Sequence, residues 1–89
     1  MKGPSMLEAR IHVTLKKSVL DPQGDTVRSG LASLGFSTVH DCRIGKFMVL
    51  RLNETDPALA KAKVDEMCRK LLANPVIEEY VFQINEVAG

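Results

Sequence analysis

The sequence has few of the aromatic and basic residues by which proteins that bind nucleic acids or membranes are recognised. It contains no tryptophan, one tyrosine and three phenylalanines among its 89 residues. A sheet that binds RNA presents several aromatic side chains for base stacking, so this scarcity argues against that class. Twelve lysines and arginines are balanced by eleven acidic residues. The net charge of +1 gives no support to the basic surface that binds nucleic acids or anionic membranes.

Cysteines and long apolar runs are also scarce. Cys42 and Cys68 are too few for a disulfide framework, and their spacing matches no zinc-binding pattern. No apolar run approaches the roughly 18 residues of a membrane span, and no secretory signal is recognisable. We therefore expect a cytoplasmic protein with reduced, structural cysteines. Residues 1–5 lack periodicity, so we interpret them as a disordered leader or cloning remnant and residues 6–89 as a single domain.

The first half of the chain has a clear strand and helix signature. Every second residue from Leu7 to Leu15 is apolar, which predicts a strand with one buried face. Asp21 can then cap a helix, and Pro22 suits its first position because proline has no N–H to leave unpaired. Gly35 is a natural left-handed stop, so we expect a helix between these two points.

The second half predicts two strands, a helix and a final strand. Residues 37–44 and 47–52 have strand composition, and Gly45-Lys46 between them suits a two-residue type II′ turn. Asp56-Pro57 repeats the cap and proline of the first helix. An apolar stripe follows over about four turns, formed by Ala60, Val64, Met67, Cys68, Leu71 and Leu72. Asn74-Pro75 ends that helix, and residues 76–87 close the domain as a strand.

This element order predicts a ferredoxin-like α+β fold. The order strand, helix, strand, strand, helix, strand is satisfied by a four-stranded antiparallel sheet with both helices on one face. The two-residue turn fixes the register of the hairpin. The predicted pairs are Ile44 with Phe47, Arg43 with Met48, Cys42 with Val49 and Asp41 with Leu50.

In that register both faces of the hairpin carry apolar side chains. Two helices on one face of a sheet can cover only one of these sets. A chain this short has a marginal core, so we expect the other face to be buried in a homodimer or a dimer of dimers. The candidate contacts between copies are Phe47, Met48, Val49, Leu50, Tyr80 and Phe82.

No group of side chains indicates catalysis. Cys42 lies on a predicted strand and Cys68 in the apolar stripe of a helix, whereas an activated thiol usually lies at a sharp turn or helix start. His40 and Cys42 could share a strand face, but two ligands alone make a poor metal site. Gly45-Lys46 lacks the other residues of a phosphate-binding loop. We therefore expect no catalytic, cofactor-binding or metal-binding residue in this chain.

Several short stretches, in this order and spacing, resemble the PurS family, the small subunit of bacterial phosphoribosylformylglycinamidine synthase. The resemblance runs from about Leu7 to Val87 and departs from the family pattern at Phe47, where tyrosine is common. The matching stretches are Val19-Leu20-Asp21-Pro22-Gln23-Gly24, Leu34-Gly35-Phe36, Arg43-Ile44-Gly45-Lys46, Met67-Cys68 and Leu71-Leu72-Ala73-Asn74-Pro75-Val76-Ile77-Glu78.

The resemblance implies a non-catalytic, homodimeric bridge in purine biosynthesis. In this family a PurQ-type glutaminase subunit releases ammonia and a large PurL-type synthetase subunit uses ATP. ATP, magnesium and glutamine then belong to the partners, and the small subunit supports the transfer of ammonia between them. The resemblance implies partner contacts at Asp21, Gln23, Gly24, Arg43, Lys46, Asn74 and Glu78. A role in starting or ending a helix would account for Asp21 and Asn74 equally well.

Two other functions stay open on the residues alone. Ferredoxin-like dimers often bind small molecules between their sheets, so a regulatory dimer would bind an amino acid or a nucleotide saturably. A small acyl-phosphate hydrolase would need an arginine in an anion-binding loop after the first strand. The chain has Lys16-Lys17-Ser18-Val19 there, which disfavours the hydrolase.

Overall fold

The structure is a computed structural model that describes residues 6–87. The interpretation of residues 1–5 as a leader therefore lies outside the described residues. The elements are strand β1 (Met6–Leu15), helix α1 (Pro22–Ser33), strand β2 (Gly45–Leu52), helix α2 (Pro57–Met67), a π-helical turn (Cys68–Leu72) and strand β3 (Glu78–Val87).

The strands form an antiparallel sheet in the order β2-β1-β3. The predicted alternation of β1 is confirmed, because its inner face is at most 1% exposed at Leu7, Ala9, Ile11 and Val13. In the centre of the sheet, Ile11 lies opposite Met48 of β2 and Phe82 of β3. The core of the domain is therefore built on its middle strand.

Helix α2 covers part of this inner face. It begins as predicted, with the Asp56 carboxylate accepting the N–H of Ala58 at 3.0 Å. Of the predicted stripe, Ala60, Val64 and Cys68 are fully buried. After Cys68 the helix widens into a π-helical turn, which inserts one residue and turns Leu72 toward the core. The predicted core position Leu71 is wrong, since that side chain is 82% exposed.

The predicted four-stranded sheet is wrong in one element. Within the described chain, residues 37–44 form no strand and no hairpin closes across Gly45-Lys46. β2 begins at Gly45 and pairs with β1 instead, so that Phe47 lies opposite His12. The predicted hairpin pairs, from Ile44 with Phe47 to Asp41 with Leu50, are therefore not formed within this single chain.

A side-chain hydrogen bond explains why the hairpin does not close. The N–H of Ile44 donates to the Asp21 carboxylate at 2.9 Å. In a two-residue hairpin that same N–H would donate to the carbonyl of Phe47, because the residues that flank the turn exchange both of their backbone hydrogen bonds. Asp21 therefore takes the donor that the hairpin requires.

Residues 16–44, which we call the arm, leave the sheet and return to it. The predicted placement of both helices on the sheet is wrong for α1, which lies in the arm and makes no substantial contact with the sheet. The chain measures 56 × 30 × 15 Å. Its radius of gyration is 17.2 Å, against about 12 Å for a compact domain of this length.

Helix α1 itself starts and ends as predicted. Asp21 caps its N-terminus by accepting the N–H of Gly24 at 2.9 Å, and Pro22 occupies the first turn. At the other end, Gly35 has φ +100° and the N–H of Phe36 donates to the carbonyl of Leu31. This is the Schellman arrangement, which requires the left-handed conformation that glycine adopts without strain.

The most exposed apolar side chains of the outer face lie at one end of the sheet. Phe47 and Val81 flank His12 there and are 52% and 68% exposed, and the rings of His12 and Phe47 stack at 4.6 Å. Farther along the same face, Glu8 and Arg10 form an ion pair at 2.9 Å. The outer face thus has an apolar patch at one end, next to a region of charged residues.

Two glycines of α1 should respond oppositely to substitution by alanine. A Cβ on Gly24 would lie 2.0 Å from the carbonyl oxygen of Cys42, whereas one on Gly30 would meet no atom within 4 Å. We expect Gly24→Ala to lower the free energy of unfolding by about 1–3 kcal/mol, as overpacking does. Gly30→Ala should raise it by up to about 1 kcal/mol. Thermal denaturation followed by circular dichroism measures the midpoint of each variant. Equal midpoints for Gly24→Ala and Gly30→Ala would contradict the close approach of Gly24 to the backbone of Cys42.

Candidate functional site

The residues predicted as partner contacts come together at one end of the sheet. They lie on three segments: the start of α1, the residues that lead into β2, and the turn before β3. Between these segments is a cleft of about 230 Å³. We call it the arm-base cleft and define it by Asp21, Gln23, Ile44, Lys46 and Glu78, which line it. Gly24, Arg43 and Asn74 lie next to these residues in the chain or hydrogen-bond to them.

Asp21 joins two of the three segments. Its carboxylate accepts the N–H groups of Gly24 and Ile44, each at 2.9 Å, and the residue is 8% exposed. The hydrogen bond from Gly24, and then that from Ile44, lower the pKa of this carboxyl below its ordinary value. Both carboxylate oxygens are thus used within the chain, so Asp21 shapes the cleft and offers little to a partner.

Arg43 strengthens the same junction. Its guanidinium donates to the carbonyl oxygens of Lys17 at 2.8 Å and Val19 at 2.9 Å. These contacts hold the returning end of the arm against its outgoing end. Gly24 contributes by its lack of a side chain, which lets the backbone of Cys42 approach. Arg43 and Gly24, both predicted as partner contacts, are therefore used to build the arm base.

The third segment is a turn held by its own side chains. The amide oxygen of Asn74 accepts the N–H of Val76 at 3.1 Å, and Glu78 accepts the N–H of Asn74 at 2.7 Å. The other carboxylate oxygen of Glu78 lies 3.8 Å from the ammonium of Lys46. The Lys46 side chain is 62% exposed, and Gln23 is also exposed. Gln23 and Lys46 are therefore the residues of the cleft best placed to reach a partner.

The predicted contacts between copies lie on both faces of the sheet. Phe47 and Val49 are on the outer face and about half exposed. The other four pack against the core on the inner face: Met48, Leu50, Tyr80 and Phe82. One flat interface cannot contain all six residues.

The sequence reasoning missed a polar link between β3 and α2. The hydroxyl of Tyr80 donates to Asp65 at 2.7 Å, and the guanidinium of Arg69 donates to the same carboxylate at 3.0 Å. These two donors, Tyr80 first, lower the pKa of Asp65, and the Asp65 carboxylate raises the pKa of Tyr80. The spacing of Asp65 and Arg69 by four residues could have indicated the ion pair. The bond from Tyr80 depends on tertiary packing and has no local signal.

The described residues offer polar recognition rather than reactive chemistry. Cys68 is buried, and this burial raises the pKa of its thiol, which disfavours the nucleophilic thiolate. Among residues 6–87, no three His, Cys, Asp or Glu side chains are grouped so as to hold a metal ion. None of the helices described is long and apolar enough to cross a membrane.

Comparison with known proteins identifies the family. The sequence model of PurS, described as phosphoribosylformylglycinamidine (FGAM) synthase, matches residues 8–86. The chain belongs to the PurS family. It is a subunit of FGAM synthase, a ligase of purine biosynthesis, as the resemblance of its short sequence stretches implied.

Individual members of the family match over nearly their whole length. The FGAM synthase subunit PurS of Synechocystis is 49% identical over 89 residues, which cover 97% of this chain and 89% of that protein. The crystal structure of Bacillus subtilis PurS has a TM-score of 0.79 at 46% identity, covering 89% of this chain and 98% of the other. The structure of PurLQS from Thermotoga maritima has a TM-score of 0.79 at 30% identity, covering 92% of this chain and 98% of the matched chain.

Asp21→Asn should remove part of the chain's sensitivity to acid. Because the pKa of Asp21 is lowered in the folded state, its contribution to stability is present above the ordinary value of 3.8 and is lost as the pH falls through the lowered pKa. The asparagine variant has no charge to lose. The difference in free energy of unfolding between wild type and variant should therefore shrink as the pH falls from about 6 to about 2.

Urea denaturation at a series of pH values measures this difference. Asp25→Asn is the matched control, since Asp25 lies in the first turn of the same helix but is exposed and binds only the side chain of Arg28. A wild-type to Asp21→Asn difference that stays constant across the pH range would contradict the two backbone hydrogen bonds assigned to Asp21.

Proposed function

We propose that the chain is a non-catalytic, homodimeric bridge within FGAM synthase. In this proposal it holds a PurQ-type glutaminase against a large PurL-type synthetase, so that ammonia passes between their active sites with little escape. The match to the PurLQS structure of Thermotoga maritima supports an assembly with these two types of partner. ATP, magnesium and glutamine are then bound by the partners, and the complex is cytoplasmic.

The arm-base cleft is the observation that carries this proposal. Its charged groups are held by the backbone or by one another, as in the bonds of Asp21 to Gly24 and Ile44. A rigid polar surface of this kind favours docking, because few side chains lose freedom when a partner binds. The exposed Lys46 and Gln23 project from that surface and supply the hydrogen-bond donors that a partner would meet.

The homodimer is supported by apolar surface that the single chain leaves uncovered. The outer face exposes Phe47, Val49 and Val81, and the arm exposes Leu20, Leu34 and Phe36. Exposed apolar side chains that form a patch usually mark an interaction site. A second copy would bury it and add to the marginal core of an 89-residue chain.

Reconstitution with the glutaminase and synthetase subunits of the same organism tests the bridge. Leaving this chain out should abolish glutamine-dependent turnover while turnover with added ammonia persists, because only the transfer between subunits is lost. Lys46→Glu should lower glutamine-dependent turnover by about tenfold, the effect of losing one strong interface contact.

Lys61→Glu is the control for that variant, since Lys61 is an exposed residue of α2 and does not line the arm-base cleft. It makes the same change of charge and should leave both rates unchanged. Glutamine-dependent turnover that is equal with and without this chain would show that the bridge is wrong.

A further inference from the structure

The last strand forms an open edge of the sheet. β3 pairs with β1 on one side, and within residues 6–87 no strand lies on its other side. Proteins usually protect such an edge with proline, lysine or a β-bulge, because unpaired backbone groups attract another strand. β3 contains neither proline nor lysine, and it pairs with β1 in unbroken register over all ten of its residues. The edge is therefore long, regular and able to accept a strand.

The hydrogen bonds show which backbone groups of β3 face this edge. The N–H of Lys16 donates to the carbonyl of Ile77 at 2.9 Å, which makes these two opposite residues a hydrogen-bonded pair. Such pairs alternate with non-hydrogen-bonded pairs, so every second residue of β3 turns its N–H and C=O away from β1. Glu78 follows this alternation, since its N–H donates away from β1, to the carbonyl of Asn74 at 2.7 Å. The residues whose backbone groups face the open edge are Tyr80, Phe82, Ile84 and Glu86.

A groove of about 350 Å³ lies beside the open edge on the inner face of the sheet. It is lined by Phe82 and Ile84 of β3 and by Pro57, Ala58 and Lys61 at the start of α2. The side chains of a strand alternate between its two faces, so an added strand would direct every second side chain toward this groove. Backbone pairing combined with pockets for alternate side chains is the way in which sheets bind extended segments of other proteins.

The strand that forms this edge is held in place by its own side chains. The hydroxyl of Tyr80 donates to Asp65 of α2 at 2.7 Å, and the rings of Tyr80 and Phe82 stack with their centroids 6.4 Å apart. These contacts fix β3 against the helix that forms the other wall of the groove. An added strand would therefore bind a surface that is already ordered, which lowers the entropic cost of binding.

The charge of β3 selects the kind of strand that can bind. β3 contains Glu78, Glu79 and Glu86 but no lysine or arginine. The carboxylate of Glu78 lies near the ammonium of Lys46, whereas Glu79 and Glu86 are exposed. If two copies paired along this edge with Phe82 on the two-fold axis, Glu78 of each copy would lie opposite Glu86 of the other, and like charges in that position repel. The edge therefore favours a strand that carries lysine or arginine over a second copy of itself.

The open edge extends well away from the arm-base cleft. Glu78, which lines the cleft, lies at the start of β3, and Glu86 lies near its end. An extended strand rises by about 3.4 Å per residue, so these two residues are separated by about 27 Å. A chain that bridges two subunits needs one contact surface for each of them. The cleft and the edge are two such surfaces on one small domain.

We propose that the open edge of β3 binds an extended, basic segment of a partner subunit of FGAM synthase. The segment adds to the sheet as a further strand, with apolar side chains in the groove and lysine or arginine side chains near Glu79 and Glu86. It belongs to the subunit that does not contact the arm-base cleft. This inference rests on the bridge proposed above and names the second of its two contact surfaces.

The groove also contains one basic side chain, that of Lys61. Lys61 is exposed, so its ammonium meets water at the rim of the groove. Replacing it by glutamate would add to the acidic surroundings of a basic segment and would not oppose its binding. Lys61→Glu therefore remains a suitable control for the bridge.

Hydrogen exchange of the backbone amides tests strand addition residue by residue. The full chain is measured alone and with the glutaminase or the synthetase subunit of the same organism, by mass spectrometry that resolves single amides. In one of the two complexes the amides of Tyr80, Phe82 and Ile84 should exchange at least about tenfold more slowly than in the chain alone, because their N–H groups gain acceptors. The amides of Val81 and Gln83 are the internal control, since they already donate to β1 in both states.

Two results of this measurement would overturn the inference. The first is an unchanged exchange rate for Tyr80, Phe82 and Ile84 in both complexes. The second is slow exchange of these amides in the chain alone that increases with its concentration, because a second copy would then occupy the edge.

A proline at position 86 tests the same edge by substitution. Glu86→Pro removes an N–H that faces the open edge, and a strand tolerates proline where its N–H faces solvent. Glu86→Ala is the matched control, because it loses the same side chain and keeps the N–H. We expect the dissociation constant for one partner to be at least about tenfold higher for the proline variant than for the alanine variant. Lys46→Glu should instead weaken binding of the other partner. Equal dissociation constants for the two variants of Glu86, or weakened binding of the same partner by Glu86→Pro and Lys46→Glu, would overturn the inference.

The same samples separate this inference from the proposed function. Glutamine-dependent turnover that needs this chain, together with unprotected amides along the edge of β3, would leave the bridge standing and refute strand addition. Protected amides in a complex whose glutamine-dependent turnover does not depend on this chain would refute the bridge and leave strand addition standing.

Discussion

The carboxylate of Asp21 accepts the N–H groups of both Gly24 and Ile44 and so joins the start of α1 to the residue before β2. One oxygen caps the helix, and the other removes the donor that a hairpin at Gly45-Lys46 would need. The arm therefore stays extended, and the sheet has three strands. The extended arm and the three-stranded sheet both follow from this one shared carboxylate.

The same junction also explains how a small chain can serve a larger complex. The bonds of Asp21 and Arg43 close the arm base onto main-chain atoms, and Glu78 fixes the turn on the other side of the cleft. This gives one end of the domain a defined polar shape with Gln23 and Lys46 at its surface. In the proposed function, a second copy would cover the apolar parts of the arm and sheet, and the partner subunits would meet Gln23 and Lys46.

Local signals predicted most of the elements, because their causes lie within a few residues. The alternation of Leu7 to Leu15, the two Asp-Pro caps and the glycine at position 35 all act over one strand or one turn, and the structure confirms each. The strand at residues 37–44 was wrong for a different reason. Its composition suits a strand, but a strand needs a neighbour, and the bond from Ile44 to Asp21 spans 23 residues. The candidate residues of the recurring stretches come together at one end of the sheet, but the stretches did not indicate that Asp21 and Arg43 bind the backbone of the arm.

Amide proton shifts followed by NMR during an acid titration test the central claim most directly. The amide protons of Gly24 and Ile44 should both shift as Asp21 is protonated, with one shared midpoint below the ordinary carboxyl pKa, because both donate to the same carboxylate. In Asp21→Asn this shared transition should disappear. An Ile44 amide proton that does not follow the titration of Asp21 would contradict the account.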